Sequence, residues 1–435
     1  MPHPPTTAPD GFGDRDWALH HAGVQRIIVP GAATVTCRNT PMPRPPASKH
    51  GIATGSAHDA PPGHVWHSAS GSTAPRQIIR TDDTMPADTA FRLVCEGTAL
   101  LWQGDFQNAR QLLLALARRV DRLAENRASR ASRTTNPSVA PSPTAVFQQL
   151  RQAQARRARL LGMVLIPLDA EGRIPLRRAP DVRQACNEAC GPIDAPGITS
   201  LREVLGWIGA HEWRKKGVAV PTLNARIHPH YGVFAPVRGE YVDLVAQTPL
   251  PPALASDSLA FDIGTGTGVL AAVLAQRGIG RIVATDQNPR ALACASENLA
   301  RLGRTRQVTV LQADLFPAER APLIVCNPPW IPAQPSSPLE EAVYDPDSRM
   351  LRGFLASLAV HLTPGGEGWL ILSDIAEHLG LRSRAELLAM IDSAGLHVIG
   401  RLDVKPTHRR TTDTSDPLHA ARAAEVTSLW RLTAR

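Results

Sequence analysis

The sequence predicts an α/β protein. A doubly wound, Rossmann-like parallel sheet fills its second half, preceded by an N-terminal, mainly helical accessory domain and a disordered N-terminal tail. Three observations predict this. From Leu259 onward, short apolar runs ending in Asp, Gly or Asn alternate with helical stretches, the pattern of βαβ units. Between Thr89 and about residue 225, apolar residues recur at spacings of three and four, the helical period. Ahead of that, twelve of the 39 prolines fall within the first 76 residues, among Ser, Thr, Gly and His.

Size and composition set the bounds. At roughly 150 residues per domain, 435 residues make two to three domains. A hydrophobic share of 43% with 20% charged residues builds a sizeable core and excludes collagen, coiled coil and small disulfide scaffold. The net charge of +8 comes almost wholly from Arg, since only Lys49, Lys215, Lys216 and Lys405 are lysines. Basic balance favours acidic partners such as RNA or DNA, although Arg, Ala and Pro rising together also reflects GC-rich coding. The six cysteines are too scattered for a disulfide framework, and the Cys186/Cys190 pair has no second pair at zinc spacing, so no metal is expected. MPHPPTTAPDG has neither the basic start nor the apolar run of a secretory leader, and no run reaches the roughly 20 apolar residues of a membrane span. A cytoplasmic protein with no membrane partner is the expectation; composition leaves the oligomeric state open.

Residues 1–85 read as a Pro-rich tail of low order, with a short apolar island at Ile27, Ile28 and Val29. Residues 86–225 read as the helical accessory domain, suited to substrate recognition. Leu113, Leu116, Val120 and Leu123 share a helix face, and Gly104-Asp105 suggests a turn between two helices. Residues 129–144 read as a linker, followed by a helix from Ala145 to Leu161. Residues 111–160 carry ten Arg against Asp121 and Glu125, which is either a nucleic-acid face or a solvated helix face. Leu201, Val204, Leu205 and Ile208 define another amphipathic helix, and Gly217–Tyr231 suits a hairpin.

Residues 226–435 carry the alternation. Strands are expected at Leu259–Ile263, Arg281–Asp286, Val308–Ala313, Leu323–Cys326 and Trp369–Ser373, with helices at Val269–Gln276, Arg290–Leu302 and Arg349–His361. Segments Leu396–Lys405 and Glu425–Leu432 should complete the sheet as an antiparallel hairpin, with His408-Arg409-Arg410 as a solvated turn. His228-Pro229-His230 reads as a loop. In a parallel sheet the C-terminal ends of the strands share one edge, where ligands bind.

The chemistry-bearing residues fall on those ends. The first strand closes in Asp262-Ile263-Gly264-Thr265-Gly266-Thr267-Gly268, a GxGxG turn whose glycines let backbone approach a ligand and open the next helix N-terminus. Asp286 ends the second strand, where a carboxylate can accept hydrogen bonds from two ribose hydroxyls. Asp314 follows the third strand, where it can receive an adenine amine while the Leu315 amide meets the ring. Together these describe a pocket for an adenosine-containing cofactor.

The fourth strand ends in Asn327-Pro328-Pro329-Trp330. Neither proline has an N–H, and their fixed φ holds the chain rigid. The Asn327 side-chain oxygen and the Pro328 carbonyl are then two acceptors for one planar NH₂ group, and Trp330 is a flat surface for stacking. Two acceptors on an amide's hydrogens orient its delocalised nitrogen toward an electrophile. If that electrophile is a sulfonium methyl, positioning can supply several kcal/mol.

The stretch from about Ile227 to the C-terminus resembles class I S-adenosylmethionine-dependent methyltransferases, with their seven-stranded sheet. Within them it is most similar to the HemK/PrmC group, which methylates a glutamine side-chain amide of peptide release factors. The resemblance implies S-adenosyl-L-methionine as cofactor, with Asp262, Gly264, Thr265, Gly266 and Gly268 on its methionine part, Asp286 on ribose, and Asp314 with Leu315 on adenine. It assigns Asn327, Pro328, Pro329 and Trp330 to catalysis, with Asn327 also beside the cofactor. Phe234-Ala235-Pro236-Val237-Arg238-Gly239-Glu240 sits where that group has a loop over the cofactor, without its second proline. Trp330 stands where that group usually has Tyr, and residues 1–225 share no motif with it. The Asn-Pro-Pro-aromatic motif also serves enzymes acting on exocyclic amines of adenine or guanine. Three readings stay open: a protein glutamine N5-methyltransferase, an RNA or DNA amine methyltransferase, and a cofactor-binding adaptor without turnover.

Overall fold

The computed structural model describes residues 65–134, 141–336, 338–407 and 411–435. Most of the expected tail, the island at Ile27–Val29, the middle of the 129–144 linker and the turn at His408–Arg410 lie outside the described residues.

The accessory region is α/β. Its elements run β1 (Val65–Trp66), β2 (Gln77–Thr81), α1 (Ala87–Cys95), β3 (Thr98–Trp102), α2 (Phe106–Thr134), α3 (Pro143–Leu161), β4 (Val164–Leu168), α4 (Arg183–Cys190), β5 (Gly197–Ser200) and α5 (Leu201–Lys216). Helices hold most of these residues, but a five-stranded sheet of order β1-β5-β4-β3-β2 runs through them. The sheet begins at Val65, well before residue 86, and so draws on part of the expected tail. The turn at Gly104-Asp105 separates a strand from a helix, not two helices. Ala99, Leu100, Leu101 and Trp102 are all buried. Such a run, buried on both faces, has no polar side to reveal its period, so strand and helix look alike in sequence. Helix α2 extends through Thr134 into the expected linker, because Ser129–Thr134 contains no proline or glycine to stop it. Helix α3 starts at Pro143, where the Ser142 side chain accepts the Ala145 N–H as an N-cap.

The hairpin β6 (Val218–Val220) and β7 (Ala225–Ile227) leads into the second domain. There follow α6 (Glu240–Gln247), β8 (Leu259–Ile263), α7 (Val269–Gln276), β9 (Arg281–Asp286), α8 (Pro289–Arg301), β10 (Val308–Gln312), β11 (Ala321–Cys326), α9 (Arg349–His361), β12 (Leu362–Ser373), α10 (Ile375–His378), α11 (Arg384–Ser393), β13 (Leu396–Val404), α12 (His419–Ala424) and β14 (Thr427–Ala434). The seven-stranded sheet has the order β10-β9-β8-β11-β12-β14-β13. Only β14 runs against its neighbours. Every residue of β8 and β11 is buried, as expected for strands covered on both faces. Helix α7 is apolar from Val269 to Ala275, and these seven residues are all buried.

Strand order reverses between β8 and β11: from β8 the chain moves outward to β9 and β10, then returns to β11 on the other side. That reversal opens a crevice at the strand C-termini, the place where open α/β sheets bind ligands.

Candidate active site at the strand tips

Register brings the motifs together. Ile263 pairs with Thr285 on one side and Cys326 on the other, while Gln312 pairs with Asp286. The glycine turn after β8 therefore lies between the tips of β9 and β11, and the Asn-Pro-Pro-Trp segment begins beside it.

The glycine turn is pinned by β9. The N–H groups of Gly264 and Thr265 both donate to the Thr285 carbonyl, at 2.9 and 2.8 Å. Gly264, Gly266 and Gly268 all have φ between 55° and 79°, a region that suits glycine. At Gly268 a Cβ would lie 3.2 Å from Ala295 Cα, so the missing side chain also lets α8 pack closely. At Gly266 a Cβ would meet nothing nearer than 4.0 Å, so the backbone there faces open space in the crevice.

Asp262 is buried. Its Oδ2 accepts from Thr265 Oγ1 at 2.7 Å and from the Ala271 N–H at 3.0 Å, tying the turn to the first turn of α7. Burial, with the Asp286 charge behind it, pushes its carboxyl up to about 6. Asp262 is thus a brace under the loop. Asp286 is half-buried, and each of its oxygens takes one backbone N–H: Oδ2 from Gly266 at 3.1 Å and Oδ1 from Asn288 at 2.9 Å. Burial raises its carboxyl, and those N–H groups act against the rise. Asp314 is exposed, two residues past β10. Leu315 has φ 73°, strained for a leucine, and its carbonyl accepts Thr285 Oγ1 at 2.6 Å, which turns the chain over the crevice.

At the tip of β11, Trp330 Nε1 donates to Asn327 Oδ1 at 2.9 Å. One lone pair of the expected acceptor is therefore already taken, and one remains. No described N–H or side chain donates to the Pro328 carbonyl. Trp330 is not an open stacking plate on both faces: the Arg238 guanidinium lies 5.1 Å from its ring centroid. Arg238 is held by Glu240 Oε1 at 2.7 Å and by buried Glu425 at 3.1 Å, and Glu425 also accepts Ser373 Oγ at 2.7 Å. Buried Arg382 donates to the Trp330 carbonyl at 3.4 Å and to Ser348 Oγ at 3.2 Å.

Several residues that shape the site carry no motif. Asn298 Nδ2 donates to the Thr267 and His228 carbonyls, and Asn298 Oδ1 accepts the His228 N–H. The Met350 methyl sits against Gly264, so close that a Cβ there would lie 2.6 Å from it. Arg151 of α3 reaches the segment after Trp330. The Pro-Arg-containing loop was the signal for Arg238; the others are spaced too far from any motif to be read.

The strand order, the glycine turn and the Asn-Pro-Pro-aromatic tip make this domain similar to class I S-adenosylmethionine-dependent methyltransferases of HemK-like kind. Residues 224–384 match the family described as Methyltransferase small domain. The release factor glutamine methyltransferase of Cereibacter sphaeroides is 42% identical over 110 residues, covering 25% of this chain and 36% of that protein. The release factor glutamine methyltransferase of Xylella fastidiosa (strain Temecula1) is 30% identical over 172 residues, covering 36% of this chain and 60% of that protein. The ribosomal protein L11 methyltransferase of Pelotomaculum thermopropionicum is 44% identical over 69 residues, 15% of this chain and 22% of that one. The chain thus spans less than two thirds of the length of these curated relatives. Among the described residues no helix is long and apolar enough to cross a membrane.

Proposed function

We propose that this chain methylates the side-chain amide nitrogen of a protein glutamine, using S-adenosyl-L-methionine. The observation that carries the reading is the pair of acceptors, Asn327 Oδ1 with one free lone pair and the unpaired Pro328 carbonyl, beside an open glycine turn. The names of the release-factor relatives support a peptide release factor as the acceptor.

The residues present fit the cofactor. The open backbone at Gly266 and the N-terminus of α7 suit the methionine carboxylate. Asp286, oriented by two backbone N–H groups, keeps lone pairs for two ribose hydroxyls. Asp314 and the Leu315 backbone edge would meet the adenine. When bound, the cofactor would supply a methyl carbon on a sulfonium sulfur: an N–C bond would form as the C–S bond breaks to leave a thioether, and the nitrogen would release one proton to water. Asn327 and Pro328 accept the two amide hydrogens and hold the nitrogen lone pair toward that carbon. Trp330 fixes the Asn327 rotamer, Arg238 covers Trp330, and the rigid Pro328-Pro329 backbone keeps the geometry without reorganisation. Cys326, just before the motif, is no nucleophile here: burial raises its thiol well above the ordinary range.

A second reading, transfer to a nucleobase amine of RNA or DNA, rests on charge. Residues 111–160 carry ten Arg and two acids, and the rest of the chain balances at 37 basic and 37 acidic residues. The whole net charge thus lies on α2, α3 and their connection. Arg127, Arg156 and Arg159, with Cys95, Leu123 and Leu160, line an open groove of about 490 Å³. Such a patch favours phosphate backbones.

The test is transfer of tritiated methyl to purified release factors, ribosomes and total nucleic acid by the full chain. Label on a release-factor glutamine is expected. Label confined to RNA or DNA would overturn the glutamine reading in favour of the second.

A further inference from the structure

The accessory domain grips the catalytic domain next to the acceptor motif. On α3, Thr144, Phe147 and Arg151 lie at spacings of three and four, on one helix face. Thr144 Oγ1 donates to the Leu379 carbonyl at 2.8 Å. The Phe147 ring packs on Tyr344, with centroids 6.4 Å apart. Arg151 forms a two-pronged ion pair with Glu340, at 3.0 Å from each nitrogen, and donates again to the Gln334 carbonyl at 2.8 Å. Its guanidinium also lies 4.1 Å from the Tyr344 ring centroid. Little of either side chain is exposed, 17% for Arg151 and 11% for Glu340, so water screens the pair weakly. Glu340 in turn accepts the Ser336 N–H and hydroxyl at 2.8 and 2.6 Å. Gln334, Ser336, Glu340 and Tyr344 are all in the segment that follows Trp330.

That segment is tied to both halves of the crevice. Ile331, next to Trp330, accepts the Asp345 N–H at 2.8 Å and donates to the Val343 carbonyl at 3.2 Å. Asp345 is buried and caps α9 through the Met350 and Leu351 N–H groups, at 2.9 and 3.1 Å. Met350 is the side chain against Gly264. Arg151 is therefore the cation that closes a path from the accessory helix to the acceptor tip.

We infer that Arg151, although it lies in the accessory domain, is a positioning residue for the acceptor: through Glu340 and Tyr344 it holds the 331–345 segment, and with it Trp330 and Asn327, in the geometry that receives the NH₂ group. This rests on the methyl-transfer reading, whichever planar amine is the acceptor. The bidentate geometry requires guanidinium, because a lysine ammonium cannot bond both Glu340 oxygens, the Gln334 carbonyl and the Tyr344 face together.

The experiment uses the full chain with Arg151→Met, Arg151→Lys and the exchanged pair Arg151→Glu/Glu340→Arg. Three readouts are taken: hydrogen exchange of the 331–345 amides, cofactor Kd by calorimetry, and kcat/KM for the acceptor. Arg151→Met should speed exchange at Ser336, Val343 and Tyr344 at least tenfold and lower acceptor kcat/KM at least tenfold, with cofactor Kd within twofold of wild type. Arg151→Lys should fall between, and the exchanged pair should recover part of both losses. Exchange and kcat/KM within twofold of wild type in Arg151→Met would overturn the assignment. So would a parallel loss of cofactor affinity, which would mean that the domain had loosened as a whole. If the wild-type chain transfers no methyl group at all, the methyl-transfer reading falls, and with it the acceptor role; the exchange readout then still decides whether Arg151 holds the segment.

Discussion

The indole N–H of Trp330 donates to Oδ1 of Asn327 at 2.9 Å, so the aromatic residue of the tip acts on the acceptor asparagine through a hydrogen bond as well as through its ring. A buried or half-buried amide that has lost one rotational option presents its remaining lone pair in one direction. Trp330→Phe keeps an aromatic ring but removes the donor. Methyl transfer should fall about tenfold, the worth of one hydrogen bond of about 1.4 kcal/mol, with cofactor affinity unchanged. Steady-state kinetics with calorimetry checks this, and undiminished turnover would remove the indole from the mechanism.

Asn327→Ala removes the acceptor itself. Cofactor affinity should stay near wild type while transfer drops roughly 10²-fold or more, because the NH₂ group loses an orienting contact made in the reacting geometry. Equal loss of binding and turnover would mean that Asn327 supports the cofactor and not the acceptor.

Asp286→Ala should act in the opposite way. It removes the carboxylate that Gly266 and Asn288 orient, so cofactor Kd should rise at least tenfold in calorimetry. A Kd unchanged from wild type would put the ribose elsewhere.

Asp262 gives a pH signature. Burial raises its folded-state carboxyl from 3.8 to about 6, so folding favours the protonated form. Its contribution to stability is whole below pH 3.8 and is lost as pH rises through about 6. Asp262→Asn keeps an oxygen for Thr265 and Ala271 but cannot ionise. Relative to wild type it should gain on the order of 2 kcal/mol between pH 4 and pH 7 in urea unfolding. Parallel stability curves for the two proteins over that range would show that Asp262 does not titrate as its burial demands.

Gly268→Ala should destabilise the chain by about 1–2 kcal/mol, since alanine is strained at positive φ. Its Cβ would also press on Ala295 of α8, at 3.2 Å from backbone. A urea midpoint equal to wild type would mean that the turn relaxes freely.

The second domain was legible because its signals are local. Val269–Gln276, Arg281–Asp286 and Arg349–His361 occupy the bounds expected from apolar runs and their Gly or Asp stops. The accessory sheet was not, because TALLW and VLIPL are short, buried on both faces and pair with strands far away in sequence. The site residues divide in the same way. Gly264, Gly266, Gly268, Asp286 and Asn327 announce themselves by spacing, whereas Asn298, Met350, Arg382 and Arg151 are brought near the candidate site only through folding.

By itself the sequence determined which chemistry could be assembled: a GxGxG turn, acids at successive strand ends and an Asn-Pro-Pro-Trp tip are properties of residues a few positions apart. Only the tertiary structure decided how those groups are deployed. It buries Asp262 as a brace, engages one lone pair of Asn327 with Trp330, lays Arg238 on the indole and brings Arg151 from α3 to Glu340. Spacing along a chain dictates backbone conformation, but a side chain's partner is set by which distant surfaces meet, and that is decided by packing of the whole core.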